Sequence, residues 1–198
     1  MSNRVITGIG SRNTPTNVLL AMEQIGAWCK KNKIYVRSGH ADGADYAFEK
    51  GAQEYTLVYL PWNTFNSQLP ILGKHIEFPS EDLRLLSFCK QIVNDCHPAA
   101  DKLTNIHWKF MIRNVLQLSG YQQTHYSSAV VLYADVRDDI FGKEQVQGGS
   151  NLVFQFARKR GIPIFNFASV PADTPLYAMD TVESMVEYVT KWILMHLE

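Results

Sequence analysis

The sequence predicts an α/β protein, a Rossmann-like three-layer sandwich with a mainly parallel central sheet and a helical insertion. Three observations predict it. Apolar runs such as Val5–Ile9 and Ser128–Ala134 read as strands buried on both faces, the mark of a parallel sheet. These runs alternate with stretches of helical period, as crossover connections between parallel strands require. Glycine-bearing turns stand where strand gives way to helix, and the carboxyl ends of such strands are where open α/β sheets bind ligands.

Taken in order, Val5–Ile9 is the first strand, and Pro15 to about Lys31 is an amphipathic helix. Val18, Leu19, Met22, Ile25 and Trp28 recur at helical spacing within it. Pro15 suits a first-turn position, with Asn13 or Thr14 as cap. Lys33–Arg37 is the second strand, followed by a helix from about Asp42 with Ala44, Ala47 and Phe48 inside. Thr56–Leu60 is the third strand. From about 62 to 125 the pattern changes to a polar loop and two helical stretches, Ser80–Cys96 and Thr104–Leu118. This block carries little core of its own, so 1–198 reads as a single domain with an insert at about 62–125. Ser128–Ala134 is the fourth strand, and Asp135 to Gln147 is polar. A helix runs from Gly148-Gly149-Ser150 to Arg160, where Gly161 ends it. Ile162–Phe167 and Val182–Leu197 complete the pattern as a fifth strand and a closing helix.

The 198 residues are 46% hydrophobic and no run reaches membrane-spanning length, so a soluble, cytoplasmic protein is expected. Met1-Ser2-Asn3-Arg4 lacks the apolar core of a secretory signal. Cys29, Cys89 and Cys96 are odd in number and lack CxxC spacing, which fits buried thiols in a reducing compartment. Nineteen basic residues balance nineteen acidic ones. That neutrality argues against a nucleic-acid partner, since phosphate contacts normally demand a basic excess. A small anionic ligand needs only local positive potential.

Three loops carry the functional signal. Gly8-Ile9-Gly10-Ser11-Arg12 follows the first strand, Ser38-Gly39-His40-Ala41-Asp42-Gly43-Ala44-Asp45 follows the second, and Gly148-Gly149-Ser150-Asn151 opens the helix before the fifth. Glycines let backbone approach an anion, and free amides at a helix start point toward it. Together these residues resemble the SLOG superfamily, Rossmann-like proteins related to the Smf/DprA proteins and the LOG enzymes. The resemblance is carried by Gly10-Ser11-Arg12, by Ser38–Asp45, and by Gly148-Gly149-Ser150 with Ala157 and Gly161-Ile162-Pro163. Arg113-Asn114 and the segment Trp62-Asn63 to Phe65-Asn66 also look like features of small bacterial and phage members. The resemblance implies a nucleotide or nucleotide-derived ligand at the three loops. Two departures stand out. Many relatives have glycine where this chain has His40, which places a side chain at the ligand. The Gly149-Ser150-Asn151-Leu152-Val153 turn lacks the glutamate that the LOG loop uses in catalysis.

The expected ligand-binding residues are Gly8, Gly10, Ser11, Arg12, Ser38, Gly39, His40, Gly43, Asn114, Gly148, Gly149, Ser150 and Asn151, with Trp62 placed to stack on a base. Candidate catalytic residues are Asp45, Asp42 and Arg113. Cleaving an N-glycosidic bond needs a carboxylate near the anomeric carbon. Asp42 and Asp45 lie three apart at a helix start, on one face, though both also suit capping. Arg113 lies one turn after Lys109, where a guanidinium can pair with a phosphate. His97 stands at a helix end, and His75, His107 and His125 lack metal-like spacing, so no metal and no cofactor are expected. Trp28, Trp108 and Trp192 on outer helices leave room for a homodimer. The leading expectation is a nucleotide-binding protein, with N-glycosidic cleavage as its chemistry if it is an enzyme. The alternatives are a non-catalytic nucleotide sensor and a DprA-like binder of single-stranded DNA.

Overall fold

A computed structural model describes residues 4–138, 142 and 144–197. The chain forms an α/β Rossmann-like sandwich around a six-stranded sheet. In sequence the elements are β1 (Val5–Gly10), α1 (Thr16–Lys31), β2 (Tyr35–Ser38), α2 (Ala44–Ala52), β3 (Thr56–Tyr59) and β4 (Lys74–Ile76). They continue with α3 (Leu83–Cys96), α4 (Asn105–Ser119), β5 (Ala129–Tyr133), β6 (Val136–Asp138), β7 (Glu144–Val146), α5 (Ser150–Arg160), β8 (Ile164–Asn166) and α6 (Val182–Met195). The sheet order is β4-β3-β2-β1-β5-β8, and every pairing in it is parallel.

β5 shows why the sheet is covered on both sides. Ala129 and Val131 face one core with Ile6, Val36, Phe48 and Phe165. Val130 and Leu132 face the other with Ile9, Val115 and Phe156. Alternate strand residues point to opposite faces, so an all-apolar strand needs a helical layer on each. Helices α1, α2 and α6 form one layer, and α3, α4 and α5 form the other. Burying a side chain such as Phe48 contributes roughly 1.5–3 kcal/mol.

Several elements differ from the sequence expectation. The 62–125 block is integral to the sandwich: it supplies the edge strand β4 and two of the three helices of one layer. The polar stretch after β5 holds an antiparallel hairpin in which Val136 pairs with Val146. α2 begins at Ala44 rather than Asp42, with Gly43 before it and no side-chain cap. Trp192, on the outer helix α6, turns inward and is buried 5.5 Å from Phe165 in the core. Among the described residues no helix is long and apolar enough to cross a membrane.

Candidate functional site

The chain leaves β1 toward β2 on one side and β5 toward β8 on the other, so the order reverses between β1 and β5. Beyond their carboxyl ends lies a cleft of about 480 Å³, the position where such sheets bind ligands. Loop one forms one wall with Gly10, Ser11 and Arg12, and loop three another with Gly148, Gly149 and Ser150. Loop two contributes Asp45, and α4 closes the side with Arg113 and Asn114.

Asp45 knots the first two loops together. Its Oδ1 accepts from the Gly10 amide at 3.2 Å, and its Oδ2 accepts from the Gly39 amide at 3.1 Å. Arg113 Nη1 donates to the same Oδ2 at 3.2 Å and to the Gly39 carbonyl at 2.8 Å. Gln117 adds a longer bond at 3.4 Å. Asp45 is 1% exposed and Arg113 6%. Burial pushes the Asp45 carboxyl up to about 6, against the pull of Arg113 and the Gly39 and Gly10 amides, while the charge of Glu49 adds to the push. Burial also lowers the Arg113 guanidinium from its ordinary value; Asp45 and Glu49 oppose this, and nearby Arg12 adds to it. Two guanidiniums therefore share one region. Arg12 is exposed and has no ion-pair partner among the described residues.

Loop three supplies an open helix end. No side chain caps α5, and the Asn151 and Leu152 amides donate to the Gly148 and Gly149 carbonyls at 3.2 and 3.4 Å, so the helix brings Ser150 and its positive dipole end to the cleft. Asn114 Nδ2 donates to the Gly149 carbonyl at 2.9 Å and fixes the loop against α4. The Oδ1 of the same amide is buried without a partner, as is Arg113 Nε. Such groups normally find one. A methyl group added at Gly149 would meet only Asn114 Nδ2 at 3.4 Å and Met111 Cε at 3.9 Å, so this glycine keeps volume free in the cleft.

The remaining candidates lie elsewhere. Gly8, Ser38, Gly39, His40, Gly43 and Asn151 stand behind the cleft wall rather than lining it. His40 turns away from the ligand side: it is fully buried, with Nδ1 2.7 Å from Glu49 Oε2. Its φ of 58° is left-handed, a conformation that glycine adopts at the least cost. Burial works against charge on His40, but its hydrogen bond to Glu49 and the charge there hold its pKa above the ordinary value. Asn151 Oδ1 accepts from the Val146 amide at 3.1 Å and anchors the hairpin. Asp42 sits in the turn before α2 and accepts from Asn66 Nδ2 at 3.2 Å, apart from Asp45. Trp62 packs edge-on against Phe65 and Phe110, each at 5.2 Å, and only Phe110 of these lines the cleft. Sequence reasoning missed Asn13, His107, Phe110, Met111, Asp135 and Gln147 as lining residues. Part of the signal was present. Positions 107, 110, 111 and 114 form one helical stripe, and Asn114 was already a candidate.

This fold is similar to solved structures of DNA processing protein A. One, from Helicobacter pylori, is a protein with a unique single-stranded DNA binding mode. It shares 11% identity; the match covers 96% of this chain and 81% of that one, with a TM-score of 0.52. Another, from Streptococcus pneumoniae, shares 14% identity over 95% of this chain and 56% of that one, with a TM-score of 0.43. At such identity the likeness is one of fold. No family model matches the chain, and no curated protein matches it. The first comparison corrects one expectation. Neutral net charge argued against a nucleic-acid partner, yet this chain shares its fold with a protein that binds single-stranded DNA. Whole-chain neutrality does not exclude such a partner, because affinity depends on where the cations sit.

Proposed function

We propose that the cleft binds single-stranded DNA, taking one nucleotide unit between loops one and three and α4. In this reading Arg12, the Ser11 hydroxyl and the uncapped α5 terminus hold a phosphate. Phe110 offers a face against which the adjoining base lies. The carrying observation is the convergence of Arg12, Arg113 and a helix N-terminus without a side-chain cap on one cleft. The likeness of fold to a single-stranded DNA binder adds support. The loop motifs favour the finer assignment of the chain to the SLOG superfamily.

A second reading, a free nucleotide as the ligand, is favoured by the size of the cleft, about 480 Å³, which suits a small ligand. Glycosidic cleavage gains less support. Both Asp45 oxygens already accept hydrogen bonds, and Asp42 lies outside the cleft.

Fluorescence anisotropy with a labelled oligodeoxythymidylate of about 16 nucleotides tests the proposal. The expected result is saturable binding at a Kd of roughly 10⁻⁶–10⁻⁴ M in physiological salt. Competition by unlabelled single strand, but not by duplex, is expected with it. Binding of mononucleotides without the oligonucleotide would move the assignment to the second reading. Silence from both would remove the two together.

A further inference from the structure

At the opposite end of the sheet, beside the amino ends of the strands, a second cavity of about 470 Å³ opens. Arg37, in β2, forms part of its floor and is 5% exposed. Its Nη1 donates to the Leu118 carbonyl at 2.8 Å and to Ser127 Oγ at 3.4 Å, and its Nη2 to the His125 carbonyl at 2.7 Å. All three acceptors are neutral. Nε is buried without a partner, and no carboxylate pairs with Arg37 among the described residues. The Tyr59 phenol is a further hydrogen-bonding neighbour of Arg37, and burial keeps it in its neutral form despite the pull of the guanidinium.

A buried cation with only neutral partners is costly, and proteins rarely leave one without compensation. The surroundings fit an anion as the missing partner. Lys74 stands exposed on the rim, and His125, Gln122 and Gln123 bring further polar groups. The rim carboxylate, Glu54, is held by Lys30 at 3.0 Å. Gly120, at φ 69°, lets the loop between α4 and β5 fold tightly over the guanidinium: a methyl group there would sit 2.5 Å from Nη2. Val5, Leu57 and Tyr35 give the cavity apolar walls able to take a small organic body.

We infer that this cavity is a second ligand site, for a small organic oxyanion such as a phosphate monoester or carboxylate, with Arg37 as its buried counter-charge and Lys74 at its mouth. It is independent of the cleft at the carboxyl ends of the strands and does not rest on the function proposed for that cleft.

Nuclear magnetic resonance on the ¹⁵N-labelled full chain tests it, at constant ionic strength, with inorganic phosphate in one titration and acetate in another. The readouts are the amides of residues 119–125 and the Arg37 Nε–H signal. The expected result is saturable movement of these signals with a Kd of about 1 mM or tighter for at least one anion. The two titrations together tell phosphate from carboxylate. The movement persists in Arg12→Ala, which removes a cation from the first cleft. Lys74→Glu raises the Kd at least about fivefold by reversing the rim charge, while the Ser11 and Ser150 amides respond as in the parent. Arg37→Gln abolishes the effect, and if that variant does not fold, Lys74→Glu still decides. Linear drift without saturation up to about 50 mM for both anions would overturn the inference. So would a Kd that Lys74→Glu leaves unchanged.

Discussion

Gly39→Ala is the sharpest test of how the site is held. The added Cβ would lie 1.6 Å from Arg113 Nη1 and 2.6 Å from its Cζ. No rearrangement of a methyl group relieves that, so the guanidinium must leave. It then loses the 2.8 Å bond to the Gly39 carbonyl and the 3.2 Å contact with Asp45. Separating a buried ion pair costs roughly 3–5 kcal/mol, because one charge is left uncompensated. For a chain of this size each kcal/mol lowers Tm by about 2–4 °C, so a fall of about 6–20 °C is expected. Thermal unfolding followed by circular dichroism reads it. The cause is isolated by a double-mutant cycle. In an Arg113→Ala background the clash is gone, and Gly39→Ala should cost less than about 1 kcal/mol. A parent-like Tm for Gly39→Ala, or an equal cost in both backgrounds, would refute the assignment of Gly39 to the approach of Arg113.

Gly149→Ala makes the opposite expectation: φ is −63° and space is open. Tm should stay within about 2 °C while oligonucleotide affinity falls at least about fivefold, read by anisotropy. Arg12→Ala should leave the fold intact and weaken binding about tenfold. Its plot of log affinity against log salt should flatten by about 0.7 for the lost phosphate contact. Asp45 gives a pH signature. Its folded pKa rises from 3.8 to about 6, so the folded chain holds this proton more tightly than the unfolded chain. The stabilisation is full below about pH 4 and is lost as pH rises toward 6. Asp45→Asn cannot ionise, so its stability relative to the parent should climb by about 3 kcal/mol across that window. Urea unfolding at several pH values measures this, and a constant difference between the two proteins would be incompatible with it.

The parts of the fold legible in the sequence are those whose pattern is local. β1 and β5 declare themselves through apolar runs, because each is buried on both faces. β4 does not: Lys74, His75 and Ile76 are partly or largely exposed, and they form a strand only because β3 offers an edge to pair with. The β6–β7 hairpin is hidden for the same reason, since its residues are mainly polar. At the site, Gly10 of loop one and Gly148 and Gly149 of loop three line the cleft, while Gly8 does not. Loop two misled in a specific way. Asp42 and Asp45 were paired by helical spacing, but α2 starts at Ala44, which leaves Asp42 in the preceding turn. His40 was read as a ligand contact, yet its partner is Glu49, one and a half turns inside the helix that follows.

The same distinction between local and long-range order governs the electrostatics. Nineteen charges of each sign cancel over the chain, but cancellation on the surface does not reach a cleft. Exposed pairs such as Lys191–Glu187 and Lys50–Glu23 are spent on each other, and screening confines their field to about 10 Å. At the cleft the balance differs. Asp45 neutralises Arg113, while Arg12 and the α5 terminus have no ion-pair partner among the described residues and Asp135 is the opposing charge on the lining. Protonating Asp45 would free Arg113 as well, so the local field strengthens as pH falls through about 6. The charge that matters for an anion here is the arrangement of these five groups, which whole-chain composition averages away.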